Sequence, residues 1–407
     1  SLLGNVPPLL ISLLYDDGAS GAFLTALLAL FITGLGLWLA TAGKQKELSN
    51  RDGFLVVTLF WAVLGTAGCL PFIFSSSVEL SITDAVFESI SGLTTTGATV
   101  ISGLDALPES ILFYRQLLQW LGGMGIIVLA VALLPMLGIG GMQLYRAESP
   151  GPVKDNKLVP RLAETAKSLW LLYLSLTIAC MLAYWAAGMS LFDAISHSFS
   201  TVAIGGFSTH DSSIAYFDSP LIEFIAVLFM IIAGINFALH FFALQKKQLR
   251  HYLKDPEFKF YAFILGSVSL ITVLVLAADG TYGSLLEALR RGVFQVVSFA
   301  TTTGYATADF NSWPLFLPYV LLYAAIIGAC AGSTGGGMKV IRILLIFKQG
   351  FREVQRLIHP RAIIPIKLGK KVMPDRIVES VWGFFAVYVM AFMVMLLALL
   401  AAGLDII

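Results

Sequence analysis

The chain has 407 residues, 57% of them apolar and only 13% charged, with a mean hydropathy of +0.84. Soluble domains carry about 25% charged residues, so the composition excludes a soluble globular protein and points to one integral membrane unit. The net charge of +1 singles out no partner, and no nucleic-acid partner is expected.

A bilayer-spanning helix needs roughly 20 apolar residues. In chain order, residues 1–15 read as the tail of one such helix, and the chain opens at Ser1 with no leader pattern. Further spans are expected at 20–41, 54–74, 111–140, 168–188, 220–244, 260–278, 314–347 and 377–403. Shorter amphipathic segments lie at 83–94, 192–203 and 285–300, each running into a stretch rich in Thr, Gly and Ser. They are too short to cross and read as re-entrant half-helices, each followed by a loop. Cys69, Cys180 and Cys330 sit far apart in apolar segments and read as small buried hydrophobes.

Charge sets the orientation. Lys44, Lys46 and Arg51 fall in one connection; Arg146, Lys154, Lys157, Arg161 and Lys167 in the next. Lys246, Lys247, Arg250, Lys254 and Lys259 make a third, and the 348–376 connection is the most basic of all. These four are assigned to the cytoplasm by the positive-inside rule. The intervening connections carry acids instead, among them Asp16, Asp17, Asp105, Asp211, Asp218 and Asp309. The long 348–376 connection, punctuated by Pro360, Pro365 and Pro374, is expected to dock a cytosolic partner.

The half-helices belong to a repeat. Aligning "DAVFESISGLTTTGAT" on Gly97, "DAISHSFSTVAIGGFS" on Gly206 and "RGVFQVVSFATTTGYA" on Gly304 places Ser91, Ser200 and Ser298 in register, six residues before each glycine. Asp84, Asp193 and Arg291 fall thirteen before. Gly205 is the alternative anchor in the second repeat; Gly206 is preferred because an aromatic follows it and the serines then align. The resulting division is 1–43, an N-terminal helix pair; 44–141, 142–244 and 245–350, three pore repeats; and 351–407, the cytoplasmic connection and outer helix of an incomplete fourth. The fold class is thus an all-α polytopic membrane protein of helix–re-entrant helix–helix units.

Non-helical backbone at membrane depth is tolerated only where protein or a watery cavity covers it. Extended loops gathered around an axis present carbonyls that replace the water shell of a monovalent cation. A pore for divalent cations or anions would call for rings of acids or bases, and these loops carry none. Beyond each loop lies a glycine-rich stretch: "WLGGMGI", "IAGINF" and "GACAGSTGGGMK". The third is too glycine-rich for a comfortable helix and reads as an unwound segment that obstructs a pore. It is no phosphate-binding Walker loop, because Met338 and Val340 stand where that motif needs Gly and Ser/Thr. Asn236 is a candidate cavity-lining residue, His197 reads as a hydrogen-bonded packing residue, and Arg290 and Arg291 as outer anchors of the third half-helix.

"FESISGLTTTGAT", "LLQWLGGMGIIVLAVALLPMLG", "GGMQLYRAESPGP", "IGGFSTHDSS", "GACAGSTGGGMKVIRILLIFKQG" and "VWGFFAVY" closely resemble the TrkH family, the bacterial branch of the Trk/Ktr/HKT superfamily of cation transporters. The resemblance spans essentially the whole chain. It implies helix–pore-helix–helix repeats arranged like a single-chain potassium channel, in the bacterial inner membrane, with K+ as the transported ion and no cofactor. It places the selectivity filter at Gly97, Gly206 and Gly304, with carbonyls from Thr94, Thr95 and Thr96, from Ala203, Ile204 and Gly205, and from Thr301, Thr302 and Thr303. It places the gate loop at Ala331, Gly332, Ser333, Thr334, Gly335, Gly336, Gly337 and Lys339. It also implies a homodimer and a cytosolic, nucleotide-sensing TrkA-like partner. A four-fold filter needs a fourth loop, whereas the chain ends at "AAGLDII", with Asp405 where a fourth half-helix would open; a longer parent protein is expected. The alternative is a coupled secondary carrier with broken helices at midplane, which the parallel rather than inverted repeats disfavour. A membrane enzyme is disfavoured because no cluster of reactive side chains converges in the sequence.

Overall fold

The computed structural model describes residues 2–42, 50–128, 158–369 and 371–403. Helices account for nearly all the regular structure. α1 (Leu2–Tyr15) and α2 (Ser20–Thr41) form the N-terminal pair. The first repeat comprises α3 (Asn50–Ala67), the short α4 (Leu70–Phe74), the half-helix α5 (Ile82–Leu93) and α6 (Glu109–Val128). The second comprises α7 (Leu158–Ala186), the half-helix α8 (Leu191–Ala203), α9 (Pro220–Ala233) and α10 (Phe237–Gln245). After α11 (Arg250–Lys254), the third is built from α12 (Pro256–Asp279), the half-helix α13 (Leu285–Ala300), α14 (Phe316–Ile327) and α15 (Val340–Ile358). A two-residue hairpin, β1 (Lys367–Leu368) with β2 (Lys371–Val372), precedes α16 (Asp375–Ala401). Lys44, Lys46, Arg146, Lys154, Lys157, Lys370, Asp405 and the end of the expected 111–140 span lie outside the described residues.

Among the described residues four helices are long and apolar enough to cross a membrane: Ser20–Thr41, Ala166–Ala186, Pro256–Asp279 and Asp375–Ala401. Their outward faces are apolar; α16 buries only Ile377, Val378 and Val381, while Val387, Met390, Val394 and Leu397 point outward. Such a surface suits lipid rather than water. Three expected spans are not continuous helices. The 220–244 span bends by 91° between α9 and α10, where Gly234, Ile235 and Asn236 leave the helix. The 54–74 span breaks after Ala67, and a Cβ at Gly68 would meet the Ser89 hydroxyl, so the break lets α5 pack close. The 314–347 span opens between Ile327 and Val340, as its glycine content predicts.

The repeats pack head to tail. α5 lies on α6, α8 lies on α6 and α7, and α13 lies on α9 and α12, so each later half-helix also touches the inner helix of the repeat before it. The glycines of "WLGGMGI" make this possible without breaking α6. A Cβ at Gly122 would strike the Leu93 carbonyl at the end of α5, and one at Gly123 would come within 3.1 Å of Ala203 at the end of α8. The main core runs through the second and third repeats, with Tyr173, Tyr184, Phe237, Tyr261, Phe294 and Tyr305 fully enclosed. Cys69, Cys180 and Cys330 are all buried and free.

Candidate functional site

Each half-helix starts the same way. Ser81, Ser190 and Ser284 cap α5, α8 and α13 by accepting from the backbone N–H of Asp84 (3.2 Å), Asp193 (3.0 Å) and Glu287 (3.2 Å). The capping acid of the third repeat is therefore Glu287, one turn before Arg291, because α13 has 16 residues against 12 in α5 and 13 in α8. Arg291 instead donates to Thr307 O (2.7 Å) and to Glu223 (3.1 Å), which also pairs with Arg290 (2.7 Å). Both arginines thus anchor α13 to the start of α9.

The half-helices also end alike. Thr96 N donates to Ser91 O (2.9 Å), Gly205 N to Ser200 O (2.8 Å) and Thr303 N to Ser298 O (2.8 Å). The residues on either side of each of these donors are left-handed. Thr95 and Gly97 have φ of +56° and +80°, Ile204 and Gly206 +54° and +82°, Thr302 and Gly304 +66° and +85°. Gly206, not Gly205, is therefore the conformational partner of Gly97 and Gly304. A β-branched residue in the left-handed region is strained, and such strain collects where a loop's geometry matters to function. The Ser91 and Ser298 hydroxyls donate to Ala98 O (2.5 Å) and Tyr305 O (2.6 Å) across the turn. Behind them Thr94 pairs with Thr96 (2.8 Å), and Thr301 with Thr303 (2.7 Å).

The three loops meet. A Cβ at Gly97 would run into Gly205 O and come within 3.5 Å of Thr303 O; one at Gly206 would run into Thr303 O. Backbone carbonyls of one loop thus lie directly against the glycine of the next, an approach only glycine permits.

Just beyond the loops, one polar side chain per half-helix holds the exit strand, at the same distance before each glycine. Glu88 accepts from Thr99 Oγ1 (2.9 Å) and Val100 N (3.1 Å), His197 Nε2 meets Ser208 Oγ (3.0 Å), and Gln295 Nε2 donates to Ala308 O (2.7 Å). His197 also bonds Asp193 O through Nδ1 (3.0 Å), so both ring nitrogens are used in packing. Arg115, fully enclosed, donates to Glu88 (2.7 Å) and to Ser208 O (3.0 Å) and stacks 4.3 Å over Phe207.

On the other side of the loops lies the segment between α14 and α15. Thr334 Oγ1 donates to Val202 O (3.0 Å), Gly336 N to Thr302 Oγ1 (2.6 Å), and a Cβ at Gly335 would sit 2.8 Å from Thr301 O. The segment is tied back to the α9–α10 break: Cys330 N donates to Gly234 O (3.0 Å), and Phe237 N to Gly332 O (2.9 Å). Lys339, with φ of +77°, donates its ammonium to Gly335 O within the same segment. Asn236 caps α10 by accepting from Ala238 N (2.8 Å) and lies against Gly332, so its carboxamide secures the helix break.

Sequence reasoning missed Glu88, Arg115, Gln119 and Glu257, all buried polar groups. For Arg115 and Gln119 a signal was available, since a charged or amide side chain within an apolar span is a functional candidate by default.

An almost wholly helical chain with membrane-length apolar helices, and half-helices whose glycine loops meet, has the build of a multi-pass membrane protein. The comparisons agree. The family model TrkH, described as a cation transport protein, matches residues 19–406. The chain is 58% identical over 398 residues to the Trk system potassium uptake protein TrkH of Escherichia coli K12, covering 98% of this chain and 82% of that protein. It is 41% identical to TrkG of the same organism over 403 residues, 99% of this chain and 83% of that protein. The crystal structure of the potassium transporter TrkH from Vibrio parahaemolyticus matches with a TM-score of 0.91 and 53% identity, over 99% of this chain and 83% of that one. The chain belongs to the TrkH family of cation transport proteins. It is a multi-pass membrane transporter and not an enzyme.

Proposed function

We propose that this chain takes up potassium across the bacterial inner membrane, through a filter formed by the backbone carbonyls of Thr94–Gly97, Ala203–Gly206 and Thr301–Gly304. The observation that carries this reading is the mutual approach of Gly97, Gly205, Gly206 and Thr303 with matched left-handed turns in all three loops. Oxygens held this way substitute for an ion's hydration shell and need no formal charge. The relatives named as potassium uptake proteins support the choice of ion.

Each of the units 44–141, 142–244 and 245–350 contributes one filter loop, and 351–407 opens a further unit. The segment Ala331–Lys339 acts as the gate, because it lies against Thr302 and Thr301 at the inner end of the filter loops. Opening is controlled by a cytosolic nucleotide-sensing subunit that docks on the basic 348–376 connection, and the transporter works as a homodimer. K+ is cargo, and no cofactor takes part.

Replacing Gly206 with Ser places a side chain against Thr303 O at a residue with φ of +82°. In a potassium-uptake-deficient bacterial strain this variant should admit sodium relative to potassium. An unchanged ion preference, at normal membrane abundance, would count decisively against the filter.

A further inference from the structure

We propose that Gln119 is a specificity-determining positioning residue, which holds the second filter loop in the register that the other two loops maintain with their own threonines. The inference rests on the filter reading above. In the first and third loops the residues three and one before the glycine are threonines paired through their hydroxyls, Thr94 with Thr96 and Thr301 with Thr303. In the second loop those positions are Ala203 and Gly205, which have no hydroxyl to offer.

Gln119, on α6 of the first repeat and fully buried, fills the gap. Its Nε2 donates to Gly205 O (2.7 Å), and its Oε1 accepts from Phe207 N (3.1 Å), so the carboxamide brackets Gly206. Phe207 N can only donate and Gly205 O can only accept, which settles the orientation of the amide. A Cβ at Gly205 would strike this same carboxamide, so the glycine and the glutamine occupy complementary space. Gly205 O is also the carbonyl that lies against Gly97, so Gln119 fixes a group shared by two loops. Without its donor, that carbonyl is free to rotate toward a smaller ion.

The test uses the intact transporter with its cytosolic partner, comparing uptake of potassium and sodium at matched membrane abundance. Gln119→Leu keeps the volume and removes both hydrogen bonds. Gln119→Met keeps the length of the side chain and likewise removes both hydrogen bonds. Both should lower the potassium-to-sodium preference at least about fivefold, the size expected for one lost buried hydrogen bond. A packing role alone would lower abundance and leave the preference of the surviving protein unchanged. If Gln119→Leu fails to reach the membrane, Gln119→Met decides. Should Gly206→Ser shift the preference while neither Gln119 variant does, the role of Gln119 is refuted and the filter stands. Should none of the three shift it, both readings fall together.

Discussion

Arg115 Nε lies 2.7 Å from Glu88 Oε1, and both side chains are closed off from solvent. The pair joins the first half-helix to the inner helix of its own repeat, and Arg115 reaches on to Ser208 O in the second loop's exit strand. An ion pair of this kind is a poor source of net stability but a costly thing to halve, because the survivor is left charged and enclosed. Glu88→Gln should therefore destabilise the folded transporter by about 3–5 kcal/mol, near the range for a broken buried pair. The double variant Glu88→Gln with Arg115→Met should recover part of that loss. Thermal unfolding in detergent measures both, and equal stability of the single and double variants would deny that the unpaired charge is the cause.

Gly335 and Gly336 lie against the end of the third half-helix: Gly336 N is bonded to Thr302 Oγ1, and Gly335 faces Thr301 O. The contacts on Gly335 leave no room for a longer side chain, so under the proposed gating the obstruction would come from backbone. Deleting Gly335–Gly337 should raise potassium leak in proteoliposomes lacking the regulatory subunit, with ion preference retained. No rise in leak would reduce the segment to a packing feature.

Glu257 is the group that grips both shoulders of that segment. From the first turn of α12, its Oε1 accepts from Ala331 N (2.7 Å) and Ile341 N (3.2 Å). Charge-assisted bonds of this sort contribute about 1.5–3 kcal/mol each. Glu257→Ala should release the segment and raise partner-independent flux by at least roughly tenfold, with Glu257→Gln falling between it and the native chain. Because α12 follows directly on α11, this carboxylate also ties the segment to the basic Lys246–Lys254 connection. Native-like flux in both variants would remove Glu257 from the gating scheme.

What the sequence disclosed follows from where its signals are local. The three half-helices were legible because an amphipathic stretch of limited length and the Thr/Gly/Ser-rich run that ends it lie within one segment. The structure places them at Ile82–Leu93, Leu191–Ala203 and Leu285–Ala300, close to the expected 83–94, 192–203 and 285–300. The break at Gly234–Asn236 was seen only as an odd glycine inside a long apolar run, because the bend is set by contacts across the chain to Cys330 and Gly332. The same limit hid the partners of Gln119, Arg115 and Glu257. Each meets its partners many residues away, as Gln119 does at Gly205, and no spacing along the chain reveals that.

His210 joins the outer loops of the first two repeats and makes that junction sensitive to pH. Its ring stacks on Tyr216 with centroids 3.4 Å apart, its Nδ1 lies 2.5 Å from Asp105, and its Nε2 lies 3.4 Å from Asp193. Beside it, Asp211 accepts from Gly103 N and Leu104 N (3.0 Å each), while His197 lies 6.4 Å away, ring to ring. Burial alone would push the His210 imidazolium down, but the Asp193 and Asp105 carboxylates outweigh it and hold the group above the ordinary histidine range. With the folded value raised, the stabilisation is complete below the unfolded value near 6.5 and is lost as pH climbs through the folded one. The native transporter should therefore melt higher than His210→Gln at pH 6, and the gap should shrink steadily toward pH 8 and above. A gap that stays constant across that range would mean that stacking on Tyr216, rather than the two carboxylates, carries the contribution of His210.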